Sequence, residues 1–253
     1  MQSDGHSLSW EPYHILGGER ASRWLVVCDH ATNRVPDWVN GGDLGIAATD
    51  MARHIAFDVG AAGVAVRLAE RLGAPAALSN FSRLVIDPNR GEDDPTLVMQ
   101  LYDGTLIGAN RGISLEGVSE RLEKCYRPYH AAVADLAARS DDTVIVSVHS
   151  FTPQFRGRPM RPWHCGLLYG DDTRLSLPLV QLLEQVPGLI VGANKPYSGY
   201  LTGDTIDRHA IALGRQNTLI EIRNDLIETD AGQAEWADRF ASLLPQALAI
   251  AES

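Results

Sequence analysis

Several apolar runs of this 253-residue chain lead directly into side chains that can move protons, bind metals or hold anions. His30 follows LVVCD, Arg90 follows RLVIDPN, His149 follows VIVSV, and LIEI contains Glu221 and leads to Arg223. In open α/β sheets, ligands bind in the crevice beyond the carboxyl ends of the strands. If the runs are strands of one such sheet, we expect these side chains to form a site.

The sequence has no local motif that identifies the reaction. It contains no GxSxG nucleophile turn, no HExxH zinc helix and no GxxxxGK[ST] phosphate loop. Cys28, Cys125 and Cys165 form no CxxC pair, so we expect free thiols in a reducing compartment. Metal-activated water is then the most natural hydrolytic mechanism, since histidine is a frequent ligand of catalytic zinc. The wide spacing of His30 and His149 does not by itself indicate a metal site.

Composition and charge narrow the class of partner. Hydrophobic residues make up 45% of the chain and charged residues 21%, as in an ordinary globular enzyme. The formal net charge of −10 repels nucleic-acid phosphates and anionic lipids, so neither is expected to bind. A small anionic substrate remains compatible, because clustered arginines can reverse the field inside one cleft. We expect no membrane span and no signal peptide, and therefore a cytoplasmic protein.

The elements that would position these side chains alternate between strands and helices. Strands are predicted at residues 23–29, 74–79, 83–87, 142–148, 163–169, 188–191 and 218–222. Helices are predicted at residues 58–72, 117–138 with a kink at Pro128, 175–186, 205–213 and 231–250. Residues 91–113 and 151–162 are predicted to be loops, the first a long surface loop. We expect one α/β domain over residues 1–253, with helices on both faces of a mostly parallel or mixed central sheet.

At these same positions the sequence resembles the N-formylglutamate amidohydrolase family. The segments that carry the resemblance are CDHATNRVP (28–36), HIAFDVGA (54–61), SRLVIDPNR (82–90), VHSFTP (148–153) and EIRNDLI (221–227). The resemblance implies a three-layer αβα fold related to zinc carboxypeptidases and aspartoacylases. It also implies a hydrolase of histidine catabolism that uses one zinc ion to cleave an N-acyl amino acid, such as N-formylglutamate.

The resemblance assigns metal ligands by position. His30 and His149 resemble the two histidine ligands of that superfamily. In zinc carboxypeptidases a glutamate ligand lies three residues after the first histidine, and this sequence has an asparagine there, which is a poor zinc ligand. We assign the third ligand to Asp58, with Asp50 and His54 as alternatives.

Substrate and proton-transfer roles follow from the same resemblance. Asn89 and Arg90 resemble the substrate-carboxylate clamp of aspartoacylase-like enzymes, and a planar guanidinium can pair both carboxylate oxygens. Glu221 would be the general base and acid in water attack. Arg83 and Arg223 would bind a second carboxylate or the developing oxyanion. The segment GDTIDRHA adds two candidate cleft residues, Asp207 and His209.

Structural roles are also compatible with these residue types. The two histidines of the candidate metal site would then cap strand ends, and Asp58 would cap the helix predicted at residues 58–72. Glu221 would form a buried ion pair with Arg223 or Arg83, because an unpaired buried carboxylate is costly. The remaining histidines are expected to be structural (His130 and His164) or exposed (His6 and His14).

Two other functions stay open from the sequence. CDHATNRVP departs from the PHSG-like form of better-known family members, so the same chemistry could act on another N-acyl amino acid. A non-catalytic protein could instead use the arginines to hold a small dicarboxylate. The sequence does not determine the oligomeric state.

Overall fold

A seven-strand sheet forms the centre of the structure, a computed structural model that describes residues 10–199 and 201–253. Within these residues the strands are β1 (Tyr13–Leu16), β2 (Trp24–Cys28), β3 (Ala76–Ser79), β4 (Leu101–Tyr102), β5 (Thr105–Leu106), β6 (Val144–Phe151), β7 (Cys165–Leu168), β8 (Val191–Ala193) and β9 (Asn217–Arg223). Strands β4 and β5 form a separate hairpin. His14 is exposed as predicted, and His6 lies outside the described residues. The extent of the domain over residues 1–253 stays a prediction.

The strand order brings three candidate site segments to one edge. Across the central sheet the order is β1-β3-β2-β6-β9-β7-β8. β3, β2, β6 and β9 are parallel neighbours, whereas β1 and β7 pair antiparallel with β3 and β9. Because parallel strands end at the same edge, the carboxyl ends of β2, β6 and β9 lie side by side. The sheet is therefore mixed, which agrees with the prediction of a mostly parallel or mixed sheet.

Helices cover both faces of the sheet. They are α1 (Ala48–Met51), α2 (Ala61–Arg71), α3 (Leu115–Arg121), α4 (Arg127–Ala137), α5 (Ser176–Glu184), α6 (Thr205–His209) and α7 (Asp230–Ala251). One core lies between the sheet and α2, α5 and α7, and a second lies under α3, α4 and α6. This confirms the predicted three-layer αβα fold. Within the two described ranges, no helix is long and apolar enough to span a membrane.

Alternation along β6 decides which side chains face the site. Val144, Val146 and Val148 pack in the core under α2 and α7, so the intervening residues face the other side. Ile145 packs in the second core, and Ser147 and His149 lie on the same face of the strand as Ile145. Glu221 of β9 is the register partner of His149. The two side chains are therefore neighbours on the α4 and α6 side of the sheet.

Residues 83–87, predicted as a strand, form turns instead. The Val85 amide donates a hydrogen bond to the Ser82 carbonyl, and Leu84 and Ile86 are fully buried. The strand prediction is wrong because a buried turn produces the same short apolar run as a buried strand. Strand β1 was not predicted, and its outer residues are exposed at the sheet edge.

Residues 91–113, predicted as a surface loop, are partly buried. Leu97, Ile107 and Asn110 have at most 4% of their surface exposed, and the segment contains the β4–β5 hairpin. The side-chain amide of Asn110 donates hydrogen bonds to the backbone carbonyls of Leu84 and Met99. These bonds supply partners for buried carbonyl groups that lie outside helices and strands. The predicted long surface loop is therefore anchored in the core at these residues, and it is not a surface loop over its full length.

The helix predicted at residues 117–138 is interrupted by a π-helical turn at Leu122–Tyr126. Pro128, in the first turn of α4, has no N–H to continue an α-helical hydrogen-bond ladder, so the interruption falls directly before it. The kink predicted at Pro128 thus takes the form of a widened turn.

Candidate active site

His30, Asp58 and His149 form a buried cluster at the carboxyl edge of the sheet. His30 follows β2, His149 lies near the end of β6, and Asp58 lies in the segment before α2. One potential ligand atom from each lies within 4.8 Å of the others, and each residue is at most 2% exposed. Asp58 Oδ2 is 2.8 Å from His149 Nδ1 and 3.4 Å from His30 Nδ1. Both imidazoles thus present the same nitrogen to one carboxylate.

Two further carboxylates hold the outer nitrogens of these imidazoles. His30 Nε2 donates to Asp87 Oδ1 at 2.6 Å, and His149 Nε2 donates to Asp29 Oδ2 at 3.1 Å. A proton held at Nε2 leaves the Nδ1 lone pair free to bind a metal ion. Carboxylates orient metal-binding histidines in this way. The arrangement fixes both ring orientation and tautomer.

Asp29 is itself held by neutral donors from the helical layer. Its Oδ1 accepts hydrogen bonds from the hydroxyls of Tyr129 in α4 and Thr205 in α6, each at 2.7 Å. Burial alone raises the pKa of Asp29, but the hydrogen bond and charge of His149 outweigh it and hold the pKa well below its usual range. Asp29 therefore remains a charged acceptor.

The geometry distinguishes the alternatives for the third ligand. Asp58 Oδ2 accepts the Ser150 amide at 3.2 Å and faces both imidazoles, whereas Asp50 pairs with Arg53 at 2.8 Å and does not line the cavity. His54 lies at the cavity, where its Nδ1 is 3.4 Å from Asp58 Oδ1.

The structural alternative for Asp58 is wrong. Helix α2 begins at Ala61, and its N-cap is Gly60 with φ of +79°, so the Asp58 side chain does not cap it. The asparagine at the family's usual ligand position, Asn33, donates to the Met51 carbonyl instead and does not line the cavity.

The cluster opens onto a cavity of about 250 Å³. Glu221, Arg83, Asn89 and Arg90 line this cavity together with the three clustered residues. The sequence-predicted site residues thus come together, with three exceptions. Arg223 lies outside the cavity lining and pairs with Asp225, and its guanidinium also approaches two backbone carbonyls.

His209 is the second exception. Its Nε2 donates to His130 Nδ1 at 2.9 Å, and the two rings stack with centroids 5.2 Å apart. His130 Nε2 in turn donates to the Pro88 carbonyl at 2.9 Å. Since a carbonyl oxygen can only accept, both neutral imidazoles carry their proton at Nε2. His209 therefore lies in a buried pair outside the cavity lining, and so does Asp207, which accepts the Gly203 amide.

Glu221 is a buried carboxylate with little compensation. It is 7% exposed, and its Oε2 has no hydrogen-bond partner among residues 10–199 and 201–253. Burial raises the pKa of Glu221 to about 8; His149 opposes the rise and the charge of Asp58 adds to it. A carboxylate tuned in this way can exchange a proton near neutral pH.

The ion pair that would have made Glu221 structural does not form. Arg223 pairs with Asp225 at 2.8 Å, and Arg83 pairs with Asp87 at 2.7 Å and with Asp58 at 3.4 Å. Among the described residues, the carboxylates that pair with Arg83 and Arg223 are thus aspartates, and Glu221 pairs with neither arginine. This leaves the side chain of Glu221 available in the cavity.

Asn89 and Arg90 hold the opposite wall. Asn89 Oδ1 accepts the Thr205 amide at 3.3 Å. Arg90 donates from Nε to the Thr96 hydroxyl and from Nη1 to the Asn89 carbonyl, and both partners are neutral. The positive charge of Arg90 is therefore not neutralised by any carboxylate of the described residues within 4.0 Å.

Sequence reasoning missed Asp29, Asp87 and Asp204. The signal for Asp29 was its position directly before His30, and the signal for Asp87 was its place at the end of an apolar run. A carboxylate beside a candidate ligand histidine is a common second partner of that histidine. Asp204 caps α6 and lines the cavity; it belongs to the GDTIDRHA segment, from which the sequence analysis chose Asp207 and His209 instead.

The cluster fits a divalent ion by its donor chemistry. Two imidazole nitrogens and one carboxylate oxygen are a usual ligand set for catalytic zinc, which keeps a further position open. The carboxylates of Asp29, Asp58 and Asp87 lie in or directly behind the cluster, and Arg83 is the one guanidinium that the described residues bring against them. The fixed charge therefore favours a cation.

A three-layer fold with a buried His–Asp–His group beside a polar cavity defines an α/β enzyme with a candidate metal site. More particularly, the chain belongs to the N-formylglutamate amidohydrolase family, whose profile matches residues 22–228. This confirms the family predicted from the sequence. The proposed relation to zinc carboxypeptidases and aspartoacylases stays a prediction.

Solved structures that are similar to this one include the following two proteins. A gene product from Agrobacterium tumefaciens has a TM-score of 0.91 and 32% identity, over 96% of this chain and 97% of the other. N-formylglutamate amidohydrolase from Ralstonia eutropha JMP134 has a TM-score of 0.73 and 23% identity, over 96% and 98% of the two chains, which is a likeness of fold. Among curated proteins, none matches this sequence significantly.

Proposed function

We propose that this protein is a zinc-dependent amidohydrolase that cleaves the amide bond of an N-formyl- or N-acyl-amino acid such as N-formylglutamate. Residues 1–253 would form one catalytic domain that acts on a small anionic substrate in the cytoplasm. Family membership supports the reaction class. The observation that carries the metal dependence is that two imidazoles present Nδ1 to Asp58 while carboxylates hold both Nε2 atoms.

His30, Asp58 and His149 would hold the ion. When bound, zinc supplies a Lewis acid and lowers the pKa of water from about 15.7 toward 7. Asp29 and Asp87 keep the two imidazoles in the tautomer that such binding needs. Arg83 balances the charge of Asp87 and Asp58.

Glu221 would move the proton that hydrolysis requires. Hydrolysis forms a C–O bond to water and breaks the C–N bond of the amide, and a proton must reach the leaving nitrogen. Glu221 lies in the cavity beside His149, with an unpartnered oxygen and a pKa raised to about 8 by burial. We therefore assign it the transfer of a proton from water to the amine.

Arg90 would bind the substrate carboxylate. Its guanidinium lines the cavity and has only neutral partners among the described residues. A bound carboxylate would supply the missing counter-charge by pairing with the planar guanidinium of Arg90. Asn89 contributes its carbonyl to hold the guanidinium in place.

Replacing Glu221 by glutamine tests the catalytic assignment. Glu221→Gln should bind zinc with unchanged stoichiometry yet lose on the order of 10²–10⁴-fold in kcat, because the amide cannot accept a proton. Zinc content is measured by elemental analysis and formate release by coupled assay. The matched control is Glu184→Gln, at the exposed end of α5, which should keep full activity. Near-normal turnover by Glu221→Gln would remove this residue from the mechanism.

Removing either imidazole tests the metal site. His30→Ala and His149→Ala should each abolish stoichiometric zinc binding, whereas His14→Ala, on the exposed edge strand, should not. Retention of zinc by both cluster variants would contradict the proposal. A pure binding protein would hold dicarboxylates equally well in the presence of a chelator, which calorimetry with glutamate would reveal.

A further inference from the structure

Two guanidiniums at or beside the cavity carry a charge that no described carboxylate neutralises. Within residues 10–199 and 201–253, neither Arg90 nor Arg161 has an acidic group within 4.0 Å, and their hydrogen bonds go to neutral oxygens. Arg83 and Arg223, the arginines expected from the sequence to bind a second carboxylate, pair with aspartates instead. A substrate with two carboxylates would therefore find its second free counter-charge at Arg161.

Arg161 is held in place without loss of its charge. Its Nη1 atom donates hydrogen bonds to the Thr152 carbonyl and to the Tyr197 hydroxyl, each at 3.1 Å. Its guanidinium lies over the rings of Phe155 and Tyr197, at 4.1 Å and 5.1 Å from the ring centroids. The face of an aromatic ring attracts a cation but does not neutralise it. Arg161 is therefore a positioned positive charge with neutral partners among the described residues.

Tyr197 connects this charge to the cavity. Tyr197 lines the cavity, whereas Arg161 lies outside the lining. The phenolic oxygen accepts a hydrogen bond from Arg161, so its own proton is available to an acceptor in the cavity. Burial raises the pKa of Tyr197 well above its usual value despite the nearby charge of Arg161, so the hydroxyl stays protonated. Tyr197 is thus a hydrogen-bond donor with a cation directly behind it.

The segment that carries Tyr197 is packed onto the sheet beside Glu221. Gly166 of β7 is the register partner of Glu221, and a Cβ on Gly166 would lie only 1.7 Å from the Lys195 carbonyl oxygen. The Asn194 amide also donates to a carbonyl of β7 at 2.9 Å. Backbone contacts with β7 therefore position Tyr197 at the cavity.

The electrostatics of the lining agree with an anion at this place. The charge of Arg161 opposes the rise in the pKa of Glu221 that burial causes, and it adds to the fall that burial causes in the pKa of His54. Both residues line the cavity, so the charge of Arg161 acts inside it. Asp204 also lines the cavity, but burial raises its pKa to about 7, which reduces the negative charge that it presents near neutral pH.

From this arrangement we propose that Tyr197, backed by Arg161, binds the side-chain carboxylate of a dicarboxylic N-acyl amino acid. The Tyr197 hydroxyl donates to that carboxylate, and Arg161 positions the hydroxyl and supplies the counter-charge. This inference rests on the proposed amidohydrolase function, in which Arg90 binds the other carboxylate, the one next to the amide nitrogen. It makes Tyr197 and Arg161 the residues that select an acidic side chain over a neutral one.

An isosteric substrate pair tests the inference. The zinc-loaded protein is assayed near neutral pH with N-formylglutamate and N-formylglutamine, which differ only in the charge of the side chain. We expect kcat/KM to be about 10–100-fold higher for N-formylglutamate, the scale of a hydrogen bond to a charged group. Calorimetry of both compounds with Glu221→Gln should give the same preference in affinity, without turnover.

Two variants identify the residues responsible. Arg161→Gln and Tyr197→Phe should each lower kcat/KM for N-formylglutamate by about tenfold, mainly through KM, and change that for N-formylglutamine much less. Tyr197→Phe keeps the ring on which Arg161 packs, so it tests the inference even if Arg161→Gln is unstable. Arg158→Gln, at an exposed position of the same segment between β6 and β7, is the control and should keep the full preference.

The outcomes separate the carboxylate subsite from the reaction itself. Equal losses for both compounds in the two variants would show a purely structural role and overturn the inference. Hydrolysis without preference for N-formylglutamate, or a preference that survives both variants, would also overturn it, and the amidohydrolase function would stand. Hydrolysis of no N-acyl amino acid by the zinc-loaded protein would overturn both.

Discussion

His149 lies between two carboxylates, Asp29 at Nε2 and Asp58 at Nδ1. Burial alone lowers the pKa of His149, but these two hydrogen bonds and charges raise it well above its usual value. The site therefore stabilises positive charge at the His149 imidazole, whose Nδ1 atom would bind the metal. Asp29 does this without contacting the cavity, because it lies behind the imidazole.

Asp29→Asn should weaken zinc binding by about 10–100-fold, since a neutral amide polarises the imidazole less than a carboxylate does. Tyr129→Phe, which removes one of the hydroxyls that hold Asp29, should have a smaller effect in the same direction. Competition with a chromogenic chelator measures the affinity. Asp141→Asn, at an exposed position, is the control, and equal affinities in Asp29→Asn and the control would contradict this role.

At the scale of elements, a glycine sets the path from Asp58 into α2. Gly60 adopts φ of +79°, and a Cβ there would lie 2.2 Å from the Ile227 carbonyl oxygen, in the segment after β9. A side chain would be strained by the backbone angle and would also push two site-bearing segments apart. The close approach couples the Asp58 segment to the strand that carries Glu221.

Gly60→Ala should therefore destabilise the protein more than Gly73→Ala does. Gly73 has a similar positive φ of +58° but open space around it, so its substitution reports backbone strain alone, about 1–2 kcal/mol. The contact with Ile227 should add at least about 1 kcal/mol to the loss for Gly60→Ala. Urea unfolding measures both free energies, and equal losses would show that the contact relaxes without cost.

At the scale of the whole molecule, the buried His130–His209 pair links stability to pH. Burial lowers the pKa of His130 to about 3 and that of His209 to about 4. The charge of Arg208 lowers both pKa values further, and the charge of His209 also lowers that of His130. Both values lie below the unfolded value of 6.5, so the unfolded chain takes up these protons first. The stability they contribute is present above pH 6.5 and is lost as the pH falls toward 4.

We expect each of these histidines to account for a loss of about 2 kcal/mol in the free energy of unfolding between pH 7 and pH 5. His209→Gln keeps a donor toward His130 but cannot titrate, so its loss over this interval should be smaller by about that amount. Urea unfolding of both metal-free proteins at the two pH values measures the difference. Identical pH dependence would show that His209 is protonated in the folded state.

The sequence by itself determined the fold class, the family and most of the cavity residues. Apolar runs of strand length and helical periodicity are readable from short stretches of sequence, and they predicted five strands closely. The predicted strand at residues 188–191 shares only Val191 with β8, and the αβα layers followed from the family resemblance. Strand-end positions predicted that His30, His149 and Glu221 would meet, because parallel strands end at a common edge.

Only the tertiary structure decided how those residues are partnered. The choice of Asp58, the carboxylates behind the histidines and the neutral environment of Arg90 depend on contacts between segments far apart in the chain. The same holds for Arg223 and His209, which sequence order brought near the site and side-chain packing turned away from it. Charge compensation is a property of three-dimensional neighbours, so no spacing in the sequence records it.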